Sequence, residues 1–237
     1  KQRGLKSTGN TGLLQTFPMS YKILSLANSW KHKARCVAGK IVEGKYKGYW
    51  VRPVGNREDN RAIFDAERQY ESGFFAVPLD IMEVEFSAKQ EGTFQQENLI
   101  ISEKKWKFIR KATIAELANY LDTPEQLWEN DHHSTYGLND KIPSKYLENP
   151  RQSLYLIHPL NVRVRVGMEH GDKAKVRVYF EYNDVTYGLT ATDSKLVFDY
   201  QQREIGTYEL PNVQYLTISL GEQMASGDSY KLIAHAF

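Results

Sequence analysis

Six cations and four aromatic rings interleave within a short part of this 237-residue chain: Lys31, Lys33, Arg35, Lys45, Lys47 and Arg52 with Trp30, Tyr46, Tyr49 and Trp50. Charge for a phosphate backbone beside flat faces for bases is what a single-stranded polyanion requires. Asn28 and Ser29 stand just ahead, at the end of an apolar run, where a barrel mouth would present small polar groups to a ligand. The candidate nucleic-acid-binding set is therefore Asn28, Ser29, Trp30, Lys31, Lys33, Arg35, Lys45, Lys47, Trp50 and Arg52. A second reading is a solvated basic hairpin whose aromatics pack inward. Arg52, between Val51 and Pro53, suits bidentate phosphate contact or base stacking, or else a buried pair with a carboxylate such as Asp80 or Glu97.

The charge is unevenly spread. Residues 22–61 hold ten Lys or Arg against three Asp or Glu, a net +7, whereas residues 62–237 sum to −8. Such asymmetry bears on partners, not on fold. Hydrophobic content of 41% and charged content of 25% fit an ordinary globular protein. No apolar run approaches the roughly twenty residues of a membrane span, so no membrane partner is expected. A lone Cys36 excludes an internal disulfide, and nothing resembles a secretory signal, so a cytoplasmic setting is expected.

Other chemistry has little support. His132-His133 lacks further ligands at metal spacing, so no metal is expected. Cys36 beside Arg35 reads as an inert strand cysteine. Ser29 or Ser219 with Asp193 and a histidine could be drawn as a triad, but no nucleophile-elbow spacing backs it. No phosphate-binding glycine pattern precedes a helix. No catalytic residue and no cofactor are expected.

The elements that must position these residues are mostly strands. Residues 1–18 are Gly-, Ser-, Thr- and Lys-rich and stop just before Met19, which reads as a start behind a flexible or appended extension. Arg35 to Lys45 and Tyr49 to Val54 form a hairpin pattern around Gly44 and Gly48. In Ile81 to Phe86, Met82, Val84 and Phe86 share one face. Thr113 and Glu116 have capping-box spacing, and Thr123-Pro124-Glu125-Gln126 repeats the helix-start signal. The polar stretch from His132 to Arg151 is the linker candidate. Beyond it, Val162, Val164 and Val166 alternate with arginines, Val176, Val178 and Phe180 alternate likewise, and His170-Gly171-Asp172 reads as a hairpin tip. Asn183-Asp184 turns the chain into Val185–Thr190, and two strands follow at 213–220 and 230–237. Five strands at this spacing predict a small closed barrel. Ser194 to Pro211 shows no helical period.

The chain resembles the dual OB-domain (DuOB) family, prokaryotic proteins often encoded among conflict and defence genes. The resemblance is carried, in order, by Leu26-Ala27-Asn28-Ser29-Trp30-Lys31, Arg35-Cys36-Val37-Ala38-Gly39-Lys40, Trp50-Val51-Arg52-Pro53-Val54, Leu79-Asp80-Ile81 and Gln95-Gln96-Glu97-Asn98. Thr192-Asp193, Ser219-Leu220-Gly221-Glu222 and Tyr230-Lys231-Leu232 complete it. The family has Arg where Trp30 stands and Gly where Ala34 stands. The resemblance implies a mainly β chain of two tandem OB-like small β-barrels with a short helical insertion between them. The expected division is a tail at 1–18, a first barrel at 19–110, a connector at 111–152 and a second barrel at 153–237. In such barrels a helix often joins the third and fourth strands, and Ser194–Pro211 departs from that pattern.

The function expected is nucleic-acid binding within a prokaryotic defence or conflict system, through the basic and aromatic N-terminal face. Single-stranded DNA or RNA is the expected partner, and a protein encoded nearby is another. The alternatives are an adaptor subunit of a defence complex, or a nucleotide-binding sensor or enzyme.

Overall fold

The run Ile23-Leu24-Ser25-Leu26-Ala27 is apolar without alternation because both faces of its strand are covered. It forms the middle of β1 (Met19–Lys31), buried continuously from Ile23 to Ser29. Ile23 points into the interior of one barrel, while Leu24, Leu26 and Ala27 point outward into a second layer of core. The protein is described by a computed structural model covering residues 17–31, 34–57, 61–90, 93–147, 152–169 and 174–237.

β1 pairs antiparallel with β2 (Ala34–Ile41), which pairs with β3 (Trp50–Val54). β3 runs parallel to β5 (Asn98–Ile101), β5 pairs with β4 (Asp80–Lys89), and β4 returns to β1. The five strands close in the order β1-β2-β3-β5-β4-β1, and β6 (Lys107–Lys111) adds to β4 outside the ring. Met82, Val84 and Phe86 fill the interior with Val37, Val51 and Trp106, as the two-residue period of β4 predicts. Gly39 permits the closure: a Cβ there would lie 2.2 Å from the Leu24 carbonyl oxygen. Phe17 also packs on this core.

The second half repeats the strand order. β8 (Leu154–Ile157) and β9 (Leu160–Met168) are one bent run interrupted at His158-Pro159. β9 pairs with β10 (Ala174–Tyr182), and β10 with β11 (Val185–Ala191) through Asn183 and Asp184, both at positive φ as a two-residue type I′ turn requires. β11 runs parallel to β14 (Ser229–Ala236), β14 pairs with β13 (Leu216–Leu220), and β13 with β8. The path thus returns to the piece of chain that precedes β9. β12 (Gly206–Glu209), which the sequence does not announce, lies on the far side of β9. Val162, Val164 and Val166 are buried and Arg163 and Arg165 exposed. The tip at 170–172 lies outside the described residues.

Two helix expectations need correction. α1 (Ser194–Tyr200) does occupy the connection between β11 and β13. It is seven residues long and buries one of them, Leu196, too short to show a period. Its start is fixed by Asp193, whose Oδ1 accepts from the Lys195 and Leu196 amides at 2.8 and 3.2 Å. Conversely, Thr123–Trp128 is not helical. Tyr182 and Asn183 donate to the Pro124 carbonyl at 2.7 and 3.1 Å, so the acceptor a first turn would use is taken. The other capping box holds: the Thr113 amide donates to Glu116 Oε1 at 2.8 Å before a 3₁₀ helix at Ile114–Tyr120.

The barrels share a core. Leu24, Leu26, Trp50 and Leu117 meet Leu154, Leu156, Tyr215 and Phe237 between them. Asp122 clamps this layer: it accepts from Lys40 Nζ at 2.7 Å, Trp50 Nε1 at 3.0 Å and the Leu156 amide at 2.8 Å. The polar stretch after His132, read in the sequence as a linker, is stitched to the second barrel. Its β7 (Lys141–Ile142) pairs with β14, and Asp140 meets the buried Arg177 at 3.0 Å.

Candidate nucleic-acid interface

Trp30 and Arg35 are register partners at the free end of the β1–β2 pair, so their side chains emerge on one face. The Arg35 guanidinium lies over the indole, Cζ 3.9 Å from the ring centroid. The indole remains 53% exposed. Two backbone contacts fix this corner: Arg35 exchanges amide hydrogen bonds of 2.8 Å with Ile63, and the Trp30 amide donates to the Thr192 carbonyl of the second barrel at 3.1 Å. Burial, then the Arg68 guanidinium, push the Arg35 pKa down from its ordinary value, with Asp65 opposing. Arg35 Nη1 meets no acceptor among the described residues. A cation short of partners in a desolvated, electropositive corner gains most from an incoming anion.

The stack stands at the rim of a cleft of about 640 Å³ between the two barrels, a volume within the range of ligand sites, about 300–1,000 Å³. Arg52 and Asn98 form its floor, Gln95 a wall of the first barrel, and Ser219 to Met224 a wall of the second. Gln95 Nε2 donates to the Leu220 carbonyl at 3.0 Å, tying the two walls together. Beneath, Arg52 Nη2 donates to Ser153 Oγ at 3.0 Å and lies 3.4 Å from Glu97 Oε1, which also accepts from Ser153. Among the described lining residues Arg35, Arg52 and Arg61 are cationic and Glu222 is the single acid.

The expected site residues thus fall into separate places. Ser29, Trp30, Arg35 and Arg52 come together at the cleft, Arg52 in the buried carboxylate pair that the sequence left open. Asn28 is buried, its Nδ2 donating to the Ala76 carbonyl at 3.2 Å. Trp50 is 7% exposed and turned to Asp122, so it offers no face for stacking. Lys45 and Lys47 sit on the exposed turn beyond β2, opposite the Arg35 end and about 20 Å away along the strand. Only the backbone of Lys31 is described, paired with Ala34, and Lys33 lies outside the described residues.

A family model for the dual OB-containing domain matches residues 21–236. The chain belongs to that family. No curated protein matches the chain. The paired 1-2-3-5-4 strand orders are the two OB units of this DuOB chain. Most of the sequence blocks that resemble the family, distant along the chain, converge on the cleft: Ser29-Trp30, Arg35-Cys36, Arg52-Pro53-Val54, Gln95 with Asn98, Thr192, and Ser219 to Glu222. Residue type and spacing do not mark Gln95, Asn98 and Ser219 as site residues. Their place in those blocks is the available signal.

Most residues of the other candidate chemistries have partners of their own. His133 Nδ1 accepts from the Asn139 amide at 2.8 Å, and the His132 ring lies 5.7 Å from that of Tyr146. Asp193 Oδ2 meets His235 Nδ1 at 2.7 Å and the Ala236 amide at 3.0 Å, while its Oδ1 caps α1. Ser219 Oγ donates weakly to the Leu220 carbonyl at 3.4 Å. Cys36 is a free, half-buried thiol on the cleft wall. Among the described residues no helix is long and apolar enough to cross a membrane.

Proposed function

We propose that this DuOB protein binds single-stranded nucleic acid, with the strand entering the inter-barrel cleft past the Trp30–Arg35 stack. The observation that carries the reading is that stack: an exposed indole under a guanidinium with an unmet Nη1, at the rim of a cleft with one acid among its described lining residues. A base stacks on the exposed aromatic and a phosphate meets Arg35. Lys31 and Lys33, between them in sequence, add to the cationic charge of this stretch. The defence or conflict setting rests on the family resemblance alone. The test is anisotropy titration of labelled single- and double-stranded oligonucleotides, DNA and RNA, at two salt concentrations. Binding that weakens steeply with salt is the expected result.

The adaptor reading is favoured by a different observation: Phe74, Phe75 and Val77 are exposed along one loop of the first barrel, Phe74 at 75%. Binding to a neighbouring gene's product without affinity for oligonucleotides would select it.

A further inference from the structure

The cleft floor holds two buried side chains whose hydrogen-bonding capacity is only partly used. Arg52 on β3 and Asn98 on β5 are register partners across the parallel pair, so their side chains leave the sheet on the same side. Both line the cleft, and each is 3% exposed. Arg52 uses Nη2 on Ser153 and Glu97, but its Nε–H meets no acceptor among the described residues. Asn98 Nδ2 donates to Gln90 Oε1 at 2.8 Å and Gln95 Oε1 at 3.2 Å, which assigns the amide orientation and leaves Oδ1 as an acceptor without a donor. Buried polar atoms in native proteins are almost always paired, so an unmet buried donor and an unmet buried acceptor on register partners that both line the cleft point to a ligand.

We infer that the floor reads the Watson–Crick edge of one unpaired base, Arg52 Nε–H donating to the base and Asn98 Oδ1 accepting from it. Every base carries an acceptor beside a donor on that edge: N1 and N6 of adenine, N3 and N4 of cytosine, O6 and N1 of guanine, O4 and N3 of uracil or thymine. A floor with one donor and one acceptor accepts adenine or cytosine in one orientation and guanine or uracil turned over, and it rejects a base whose edge is engaged in a duplex. Selectivity is for the unpaired state, not for sequence. The inference rests on the proposed nucleic-acid reading and adds to it the atoms that distinguish a single strand from a duplex. A free nucleotide presents the same edge, so the chemistry is shared between a mononucleotide and a residue within a strand.

The test changes the ligand before the protein. A short oligouridine and the same oligomer built from N3-methyluridine carry equal charge and similar stacking surface, but the methyl group removes the edge donor. The full chain should bind the methylated oligomer about five to a hundredfold more weakly, the effect of losing a hydrogen bond and leaving the buried Asn98 acceptor unmet. Asn98→Ala should bring the affinity for oligouridine down to the methylated level and leave the methylated oligomer unaffected. If Asn98→Ala does not fold by circular dichroism, the ligand comparison decides alone. Competition by uridine monophosphate distinguishes the two sources: displacement at comparable concentration assigns the site to a free nucleotide, and weak displacement to a strand. Equal affinity of the wild-type chain for the two oligomers overturns the inference while leaving nucleic-acid binding intact. Absence of binding to any oligonucleotide at low salt overturns that reading and the inference with it.

Discussion

Arg35 lies over Trp30 where β1 and β2 pair, its Cζ 3.9 Å from the indole centroid. The ring is more than half exposed, so the stack lies at the surface and not in the core. Trp30→Ala should therefore weaken single-strand binding by about 1–3 kcal/mol, and the salt slope should stay unchanged, because stacking releases few counterions. The melting temperature should move little. A large fall in melting temperature with unchanged binding would make the stack structural.

Asp122 accepts from Lys40, Trp50 and the Leu156 amide in the layer between the barrels. Burial lowers the Lys40 pKa and Asp122 opposes that shift. Asp122→Ala leaves the buried ammonium without its counterion and should cost about 3–5 kcal/mol of stability in urea titration. Adding Lys40→Met removes the stranded charge and should recover a good part of the loss. A loss below about 1 kcal/mol in the single variant would contradict the clamp, since exposed pairs cost no more than that.

Lys231 is fully buried on β14, its Nζ donating to the Glu129 carbonyl at 2.6 Å and Asn130 Oδ1 at 3.2 Å. Burial pushes its pKa from 10.5 down to about 7, against the pull of Asp140 and Glu129. Between those values the unfolded chain holds the proton that the folded chain has shed, so stability rises with pH across that window. Below about pH 7 the cost of the charged form is fully present. Urea midpoints at pH 7 and pH 9 should show this rise in the wild type and a smaller one in Lys231→Met. Parallel profiles for the two proteins would contradict it.

How much of this was legible in the sequence follows from the range of each interaction. Val164 in and Arg165 out, the type I′ turn at Asn183-Asp184 and the Thr113–Glu116 box are written in residues a few positions apart, and the structure repeats them. The helix after Asp193 has only Leu196 to mark an inward face, so its cap was the readable sign. The false helix at Pro124 fails because Tyr182 and Asn183, some sixty positions away, take its carbonyl. The basic face was legible as composition but not as a surface. β2 carries Arg35 and the Lys45–Lys47 turn to opposite ends, and Trp50 turns to a carboxylate seventy-two positions on. The cleft exists only where loops of two barrels meet, and no local pattern announces Gln95 against Leu220.

Replacing Lys31, Lys33 and Arg35 together with Ala tests whether this basic stretch tracks a phosphate backbone. Affinity should fall for all sequences alike, and the salt slope should become shallower by about 0.7 to 0.9 for each phosphate no longer neutralised. Binding that survives intact would move the site away from the cleft, with the exposed Arg163 and Arg165 of β9 as the next surface.

Wild-type anisotropy titrations of a single strand and its duplex at low and moderate salt decide whether the cleft takes an unpaired strand. Saturable binding of the single strand, a linear fall of log affinity with log salt, and clearly weaker binding of the duplex are expected. A chain that binds neither at low salt, or the duplex as well as the single strand, would contradict it.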